Sequence, residues 1–120
     1  LDFLIIDMPP GIGDAVLDLL RLVKRVEFLI VTTSSLLAFE TVRKQAALLR
    51  KLKFPIIGVI ENMKMNNSAS IQLETGKLGL NFLAGIPYDP NVEEAIGNKN
   101  KLFETMIAEK IREILQVKAL

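Results

Sequence analysis

Short runs rich in Ile, Val, Leu and Phe recur at residues 2–6, 27–32, 54–61 and 81–86. Each has the unbroken apolar character of a strand buried on both faces. Between them the apolar positions take helical spacing. Over residues 15–24, Val16, Leu19, Leu20 and Val23 share one side, and over 36–53 Val42, Ala46, Leu49 and Leu52 do the same. The order strand, helix, strand, helix, strand implies right-handed crossovers. It predicts an α/β fold, a parallel sheet with helices on both faces.

Past Met63 the pattern breaks. Residues 64–70 are polar and carry Asn66-Asn67-Ser68, a loop signal; a shorter helical piece follows over 71–78 and Gly79 closes it. The fourth run ends in Gly85-Ile86-Pro87-Tyr88-Asp89-Pro90, where prolines stop sheet pairing and Asp89 is placed to cap a short helix through Ile96. A final helix is predicted over 102–117, with Leu102, Phe103, Met106, Ile107, Ile111, Ile114 and Leu115 on one stripe. That stripe reads as core packing. Its opposite face mixes acids and bases, unlike the Lys/Arg-rich face of a membrane-surface helix.

Composition narrows the chemistry. With 120 residues, 50% hydrophobic and 24% charged, the chain is one compact domain or a large piece of one. A formal charge of +1 without blocks of like charge nominates neither a nucleic-acid nor a membrane partner. There is no Cys and no His, which removes disulfides, thiolate metal sites and imidazole bases. A metal here is a hard cation held by oxygens. The apolar runs are too short to span a bilayer, so a cytoplasmic location is expected. The chain opens at Leu1 directly into a strand pattern, which reads as a piece of something longer.

The segment following the first run carries the candidate chemistry. Leu4-Ile5-Ile6-Asp7 delivers an acid to a strand end, where ligands bind in open α/β sheets and a carboxylate can hold hydrated Mg²⁺. Gly11 and Gly13 let backbone N–H groups approach a phosphate, while Pro9 and Pro10 stiffen the approach. The same residues also suit a plain strand-to-helix turn with Asp14 as N-cap. A dinucleotide fingerprint fails because Val16 stands where a third glycine or an alanine is needed.

Residues 1–14 resemble the Walker B and switch II segment of the Mrp/ApbC branch of MinD/ParA-like P-loop ATPases, D-x-x-x-x-D-x-P-P-G-T-G-D. Asp2, Asp7, Pro9, Pro10, Gly11, Gly13 and Asp14 match, and Ile12 replaces the usual Thr. Val31-Thr32-Thr33 followed by Ala38 resembles the family's V-T-T-P-Q-x-x-A, with Ser34-Ser35 in place of Pro-Gln. Gly58-Val59-Ile60-Glu61-Asn62-Met63 resembles G-V-[IV]-E-N-M, and residues 83–89 resemble L-G-x-I-P-x-D. The resemblance implies the three-layer, SIMIBI-type P-loop NTPase fold, the whole chain being the C-terminal portion of a single ATPase domain. It implies Mg-ATP as ligand, Asp7 as the catalytic and metal-contacting acid, and Gly11 and Gly13 as γ-phosphate sensors. Asn62 would contact adenine, with Pro87, Tyr88 and Asp89 along the base. It further implies a homodimer formed across the nucleotide face.

Two departures from the family pattern limit this. The phosphate-binding loop G-K-G-G-x-G-K-[ST] is absent, Gly76-Lys77 being followed by Leu78. Without its cradle and lysine, ATP is expected to bind with Kd on the order of 1 mM or weaker, and no turnover is expected. Many relatives also carry C-x-x-C after E-N-M to bridge an iron–sulfur cluster; here residues 64–70 supply no thiolate. The function implied is part of an ATP-dependent molecular switch. The alternative is a nonenzymatic regulatory or scaffold module, and a phospho-receiver is set aside because Pro9-Pro10 and Asn62 do not fit one. Met63 and Met65 suit an adaptable interface, or, for Met63, the core. In the family a strand feeding the phosphate loop lies between those ending at Asp7 and Thr32. Its loss would leave two open strand edges.

Overall fold

The computed structural model describes residues 2–11 and 13–118. Its elements run α1 (Asp14–Leu22), β1 (Phe28–Thr32), α2 (Leu36–Lys51), β2 (Ile56–Lys64), α3 (Ser70–Lys77), β3 (Phe82–Pro87), α4 (Asn91–Ala95), α5 (Lys99–Phe103) and α6 (Met106–Lys118). The three strands form one parallel sheet in the order β1-β2-β3, each paired with its neighbour in sequence.

One face of the sheet is closed by α2 and α3. Ile30 and Val59 point to that face and pack with Phe39, Val42, Ala46 and Leu49 of α2 and Ile71 of α3. Phe39, Leu49, Val59 and Ile71 are nearly inaccessible to solvent, and burying each such side chain contributes about 1.5–3 kcal/mol. Ser35 starts α2 by accepting the Ala38 amide on its hydroxyl, 3.3 Å away. Ser34-Ser35 thus does local work of its own: one serine caps the helix while the other reaches Glu61 within β2.

The opposite face is built around Gly58. A Cβ there would lie 2.7 Å from the Asn81 carbonyl oxygen and 2.7 Å from Leu83 Cγ, so only glycine lets β3 approach. Leu83 in turn meets Ile114 and Val117 of α6 across a small cavity. Helices therefore lie on both faces, as the alternation of elements predicts. On this second face α6 covers β3, whereas Leu29 and Val31 of β1 stay 47% and 58% exposed.

An ion-pair cluster ties α2 to α3. Glu74 pairs with Arg43 across the two helices and with Lys77 one turn on. The Lys77 hydrogen bond holds the Glu74 carboxyl below its ordinary range; burial pushes the other way, and the charges of Lys77 and Arg43 add to the lowering.

Several expectations are corrected. Residues 2–6 form no strand, and Phe3, Leu4 and Ile5 are exposed, Ile5 by 93%. A strand exists only through its hydrogen-bonding neighbour, and no described segment supplies one. Among the described residues, the open edge of β1 is likewise unpaired.

The final helix is two helices, because Thr105 interrupts the stripe. Its hydroxyl bonds back to the Leu102 carbonyl at 2.7 Å and accepts the Ala108 amide at 3.4 Å, starting α6 afresh. Asp14 is not a cap but the first residue of α1, with Gly13 at the N-cap. Met63 is not in the core: it is 49% exposed, with a backbone φ of 54°. The half-buried α6 stripe leaves Met106, Ile111 and Leu115 more than 40% exposed.

Candidate functional site at the carboxyl edge of the sheet

The ends of β2 and β3 lie side by side, and the chain leaving each one shapes a cleft of about 190 Å³. Asn62 and Met63 come from β2, Pro87 from β3, Tyr88 and Asp89 from the turn after it, Val92 and Glu93 from α4, and Ile107 from α6. The Tyr88 amide donates to the Lys64 carbonyl at 3.0 Å, which fixes the two strand exits together. Four residues nominated from separate parts of the sequence, Asn62, Pro87, Tyr88 and Asp89, therefore share one wall-to-wall space.

Asn62 reaches this cleft through an irregularity in the sheet. Glu61 pairs with Gly85 and Lys64 with Pro87, so β2 spends two residues, Asn62 and Met63, opposite a single residue of β3. Such a bulge bends its strand and re-aims a side chain. Met63 takes up the bend in the left-handed region, uncommon outside glycine.

Asp89 plays a framing part. One carboxylate oxygen accepts the Asn91 amide at 3.0 Å and the other accepts the Met106 amide at 3.1 Å. A single side chain thereby anchors the starts of both α4 and α6 to the end of β3. The sequence placed Asp89 as a cap for the first of these; the second bond spans 17 residues and leaves no local signal.

Chemically the cleft is apolar with few polar groups. Met63, Pro87, Tyr88, Val92 and Ile107 provide flat or flexible walls, and the Asn62 amide can both donate and accept. Its charged members, Asp89 and Glu93, are acidic, and among the described residues no Lys or Arg lines it. A phosphate is repelled there, whereas an uncharged ring with donor and acceptor edges fits. At about 190 Å³ the space is below the usual size of a complete small-molecule pocket and suits part of a ligand.

The other nominated residues lie away from this cleft lining. Asp7 is exposed, on a stretch without regular structure. Gly11 adopts φ 87°, a conformation that favours glycine, and the Gly13 carbonyl accepts the Val16 and Leu17 amides as α1 begins. Ile12, where the switch hydroxyl of the resembling family would stand, is outside the described residues. Among the described residues no three acidic side chains gather into a metal cage. Mg²⁺ at nucleotide sites takes most of its ligands from water and phosphate, so a lone Asp7 is compatible with one protein contact and no more.

Sequence reading missed the group behind Asn62. Glu61 is only 1% exposed; Ser34 donates to one of its oxygens at 2.7 Å and Lys64 to the other at 3.0 Å. The third residue after a strand acid gave no reason to suspect an ion pair, because a regular strand would point the two apart.

Comparison with known proteins identifies the family. Residues 1–119 match the ParA family described as NUBPL iron-transfer P-loop NTPases. The chain is 36% identical over 106 residues to an iron–sulfur cluster carrier protein of Aquifex aeolicus, covering 78% of this chain and 29% of that protein. It is 33% identical over 135 aligned positions to the cytosolic Fe-S cluster assembly factor Nubp2 homolog of Anopheles gambiae, covering 97% of this chain and 52% of that protein. A 46% identity over 66 residues links it to an iron–sulfur cluster carrier protein of Pseudomonas fragi. The chain spans about half, or less, of the length of these relatives. No helix among the described residues is long and apolar enough to cross a membrane. The parallel sheet with helices on both faces, the ordered landmarks from Asp7 to Asp89 and a family match along nearly the whole chain together place it in the ParA family of NUBPL-type, Mrp-related P-loop NTPases.

Proposed function

We propose that these residues form the base-recognising side of a Mg-ATP-dependent molecular switch, one C-terminal portion of a single ATPase domain in a cytoplasmic protein. The carrying observation is the cleft that joins Asn62, Pro87, Tyr88 and Asp89 at the carboxyl edge of the sheet. In this reading Asn62 hydrogen-bonds the adenine edge and Tyr88 and Pro87 flank the ring. Asp7 contacts Mg²⁺ through water, and Gly11 and Gly13 respond to the γ-phosphate. The metal, when bound, would neutralise phosphate charge; the lysine-bearing loop for the phosphates must come from outside residues 1–120. Two such domains would meet across the nucleotide face.

The iron–sulfur function named for the relatives reaches this chain only as a partner function. With no cysteine, residues 1–120 supply no thiolate to a cluster. A switch that drives cluster handling elsewhere in an assembly is the form consistent with that composition.

Tyr88 is the only tyrosine and makes the test direct. Titration with ATP should shift its ring-proton NMR resonances with Kd on the order of 1 mM or weaker, without turnover. Asn62→Ala should remove that shift while leaving the rest of the spectrum in place. Tyr88 resonances that ignore ATP and adenosine alike, up to their solubility limits, would sink the reading.

A further inference from the structure

The buried pair behind Asn62 has a geometry that explains the shape of the cleft. In a regular strand Glu61 and Lys64, three positions apart, point to opposite faces. The extra residue in β2 returns Lys64 to the side of Glu61, and the two meet at 3.0 Å. The same ammonium donates to the Ser68 carbonyl at 2.5 Å, drawing the loop after β2 back over the strand end. Ser34, from the turn between β1 and α2, holds the remaining Glu61 oxygen. Gly85 leaves the space: a Cβ there would stand 3.1 Å from Lys64 Cδ and 3.7 Å from Glu61 Oε2.

The bulge and the ion pair therefore require each other. A carboxylate that is 99% buried must keep its partner, because breaking such a pair leaves an uncompensated charge. Lys64 can reach Glu61 only while Asn62 and Met63 occupy the bulge, with Met63 in its left-handed conformation. Met63 and Asn62 are the two residues that β2 gives to the cleft.

We propose that the Glu61–Lys64 ion pair is a positioning clamp that holds the β2 bulge, sets the direction of the Asn62 amide and thereby gives the cleft its preference among purine bases. Neither Glu61 nor Lys64 lines the cleft. The proposal rests on the base-binding reading of the cleft, and its geometric half is measurable without any ligand.

The test uses the 120-residue chain with adenosine and guanosine as probes. Lys64→Met keeps the apolar stem over Gly85 but strips the ammonium. The pair E61Q/K64M also removes the buried charge, so that a folded protein is retained if the single variant fails. Lys64→Arg is the rescue. In the parent chain the ¹³Cα and ¹³Cβ shifts of Met63 should report a left-handed residue, and adenosine should bind about tenfold more tightly than guanosine, the scale of one matched hydrogen bond. In E61Q/K64M the Met63 shifts should move to extended values and the preference should fall below about twofold, with Lys64→Arg restoring both. Unchanged Met63 shifts in E61Q/K64M overturn the clamp while leaving the cleft reading intact. Shifted Met63 with an undiminished base preference also overturns it, since the bulge would then not direct recognition. If neither nucleoside perturbs the parent chain, the base-binding reading falls and the proposed role of the clamp falls with it.

Discussion

Asn62 and Asp89 share one cleft but answer to different physics. Asn62 presents an amide to an open space, and its replacement by Ala should change stability by no more than about 0.5 kcal/mol while abolishing the nucleotide-induced shift at Tyr88. Thermal melts alongside NMR titration check both halves. Asp89 spends each oxygen on a backbone amide, one at the start of α4 and one at the start of α6. Asp89→Ala should therefore cost about 1–3 kcal/mol, visible as a lowered denaturant midpoint, and Asp89→Asn should lose less because one carbonyl oxygen survives as an acceptor. Both residues were legible in the sequence as members of a motif, but the framing role of Asp89 was half hidden. Its partner at Met106 is far along the chain, and distant pairings leave no periodic trace. Glu61 was quoted only as a letter of a motif, since nothing local foretells that Lys64 comes back to meet it.

Strands and helices were read from the chain to different degrees, for reasons that can be named. β1, α2, β2 and β3 follow from apolar period and length, with ends shifted by a few residues: β2 continues through Lys64 because its partner strand and the bulge keep it paired beyond Glu61. The break between α5 and α6 was invisible because neither Gly nor Pro marks it; a threonine hydroxyl does the work. Residues 2–6 failed for the opposite reason, having strand chemistry without a described strand beside them. Within the α2–sheet layer, Phe39→Ala should cost about 3–5 kcal/mol, a large share of a typical domain's stability and readable by urea unfolding. The tie between α2 and α3 adds a pH signature. Glu74 is held below its ordinary carboxylate value of 4.5, so its contribution is complete above that value and disappears as pH falls through the lowered one. Melting temperatures of the parent and Glu74→Gln should differ at neutral pH and converge on acidification through that range.

For the molecule as a whole, the open side of β1 is an exposed apolar surface. Leu29 and Val31 present an apolar face beside an edge that is unpaired among the described residues and carries no charge or proline within the strand, and Phe3, Leu4 and Ile5 add further exposed apolar area. Such edges invite association. Val31→Lys should raise the concentration at which light scattering first appears, without lowering the melting temperature by more than about 0.5 kcal/mol equivalent. The spatial order β1-β2-β3 also has a temporal meaning, because it repeats the order of the strands along the chain. β2 and β3 each emerge from a ribosome with their neighbour already present, and the buried residues from Ile30 to Ile71 have all been made before β3, whose Phe82 then packs against them. Among the described residues, none before Phe28 belongs to that cluster. Nascent chains stalled beyond Phe82 should thus already resist a protease across β1, α2 and β2, acquiring their nucleus early and their cleft, which needs β3 and α6, last.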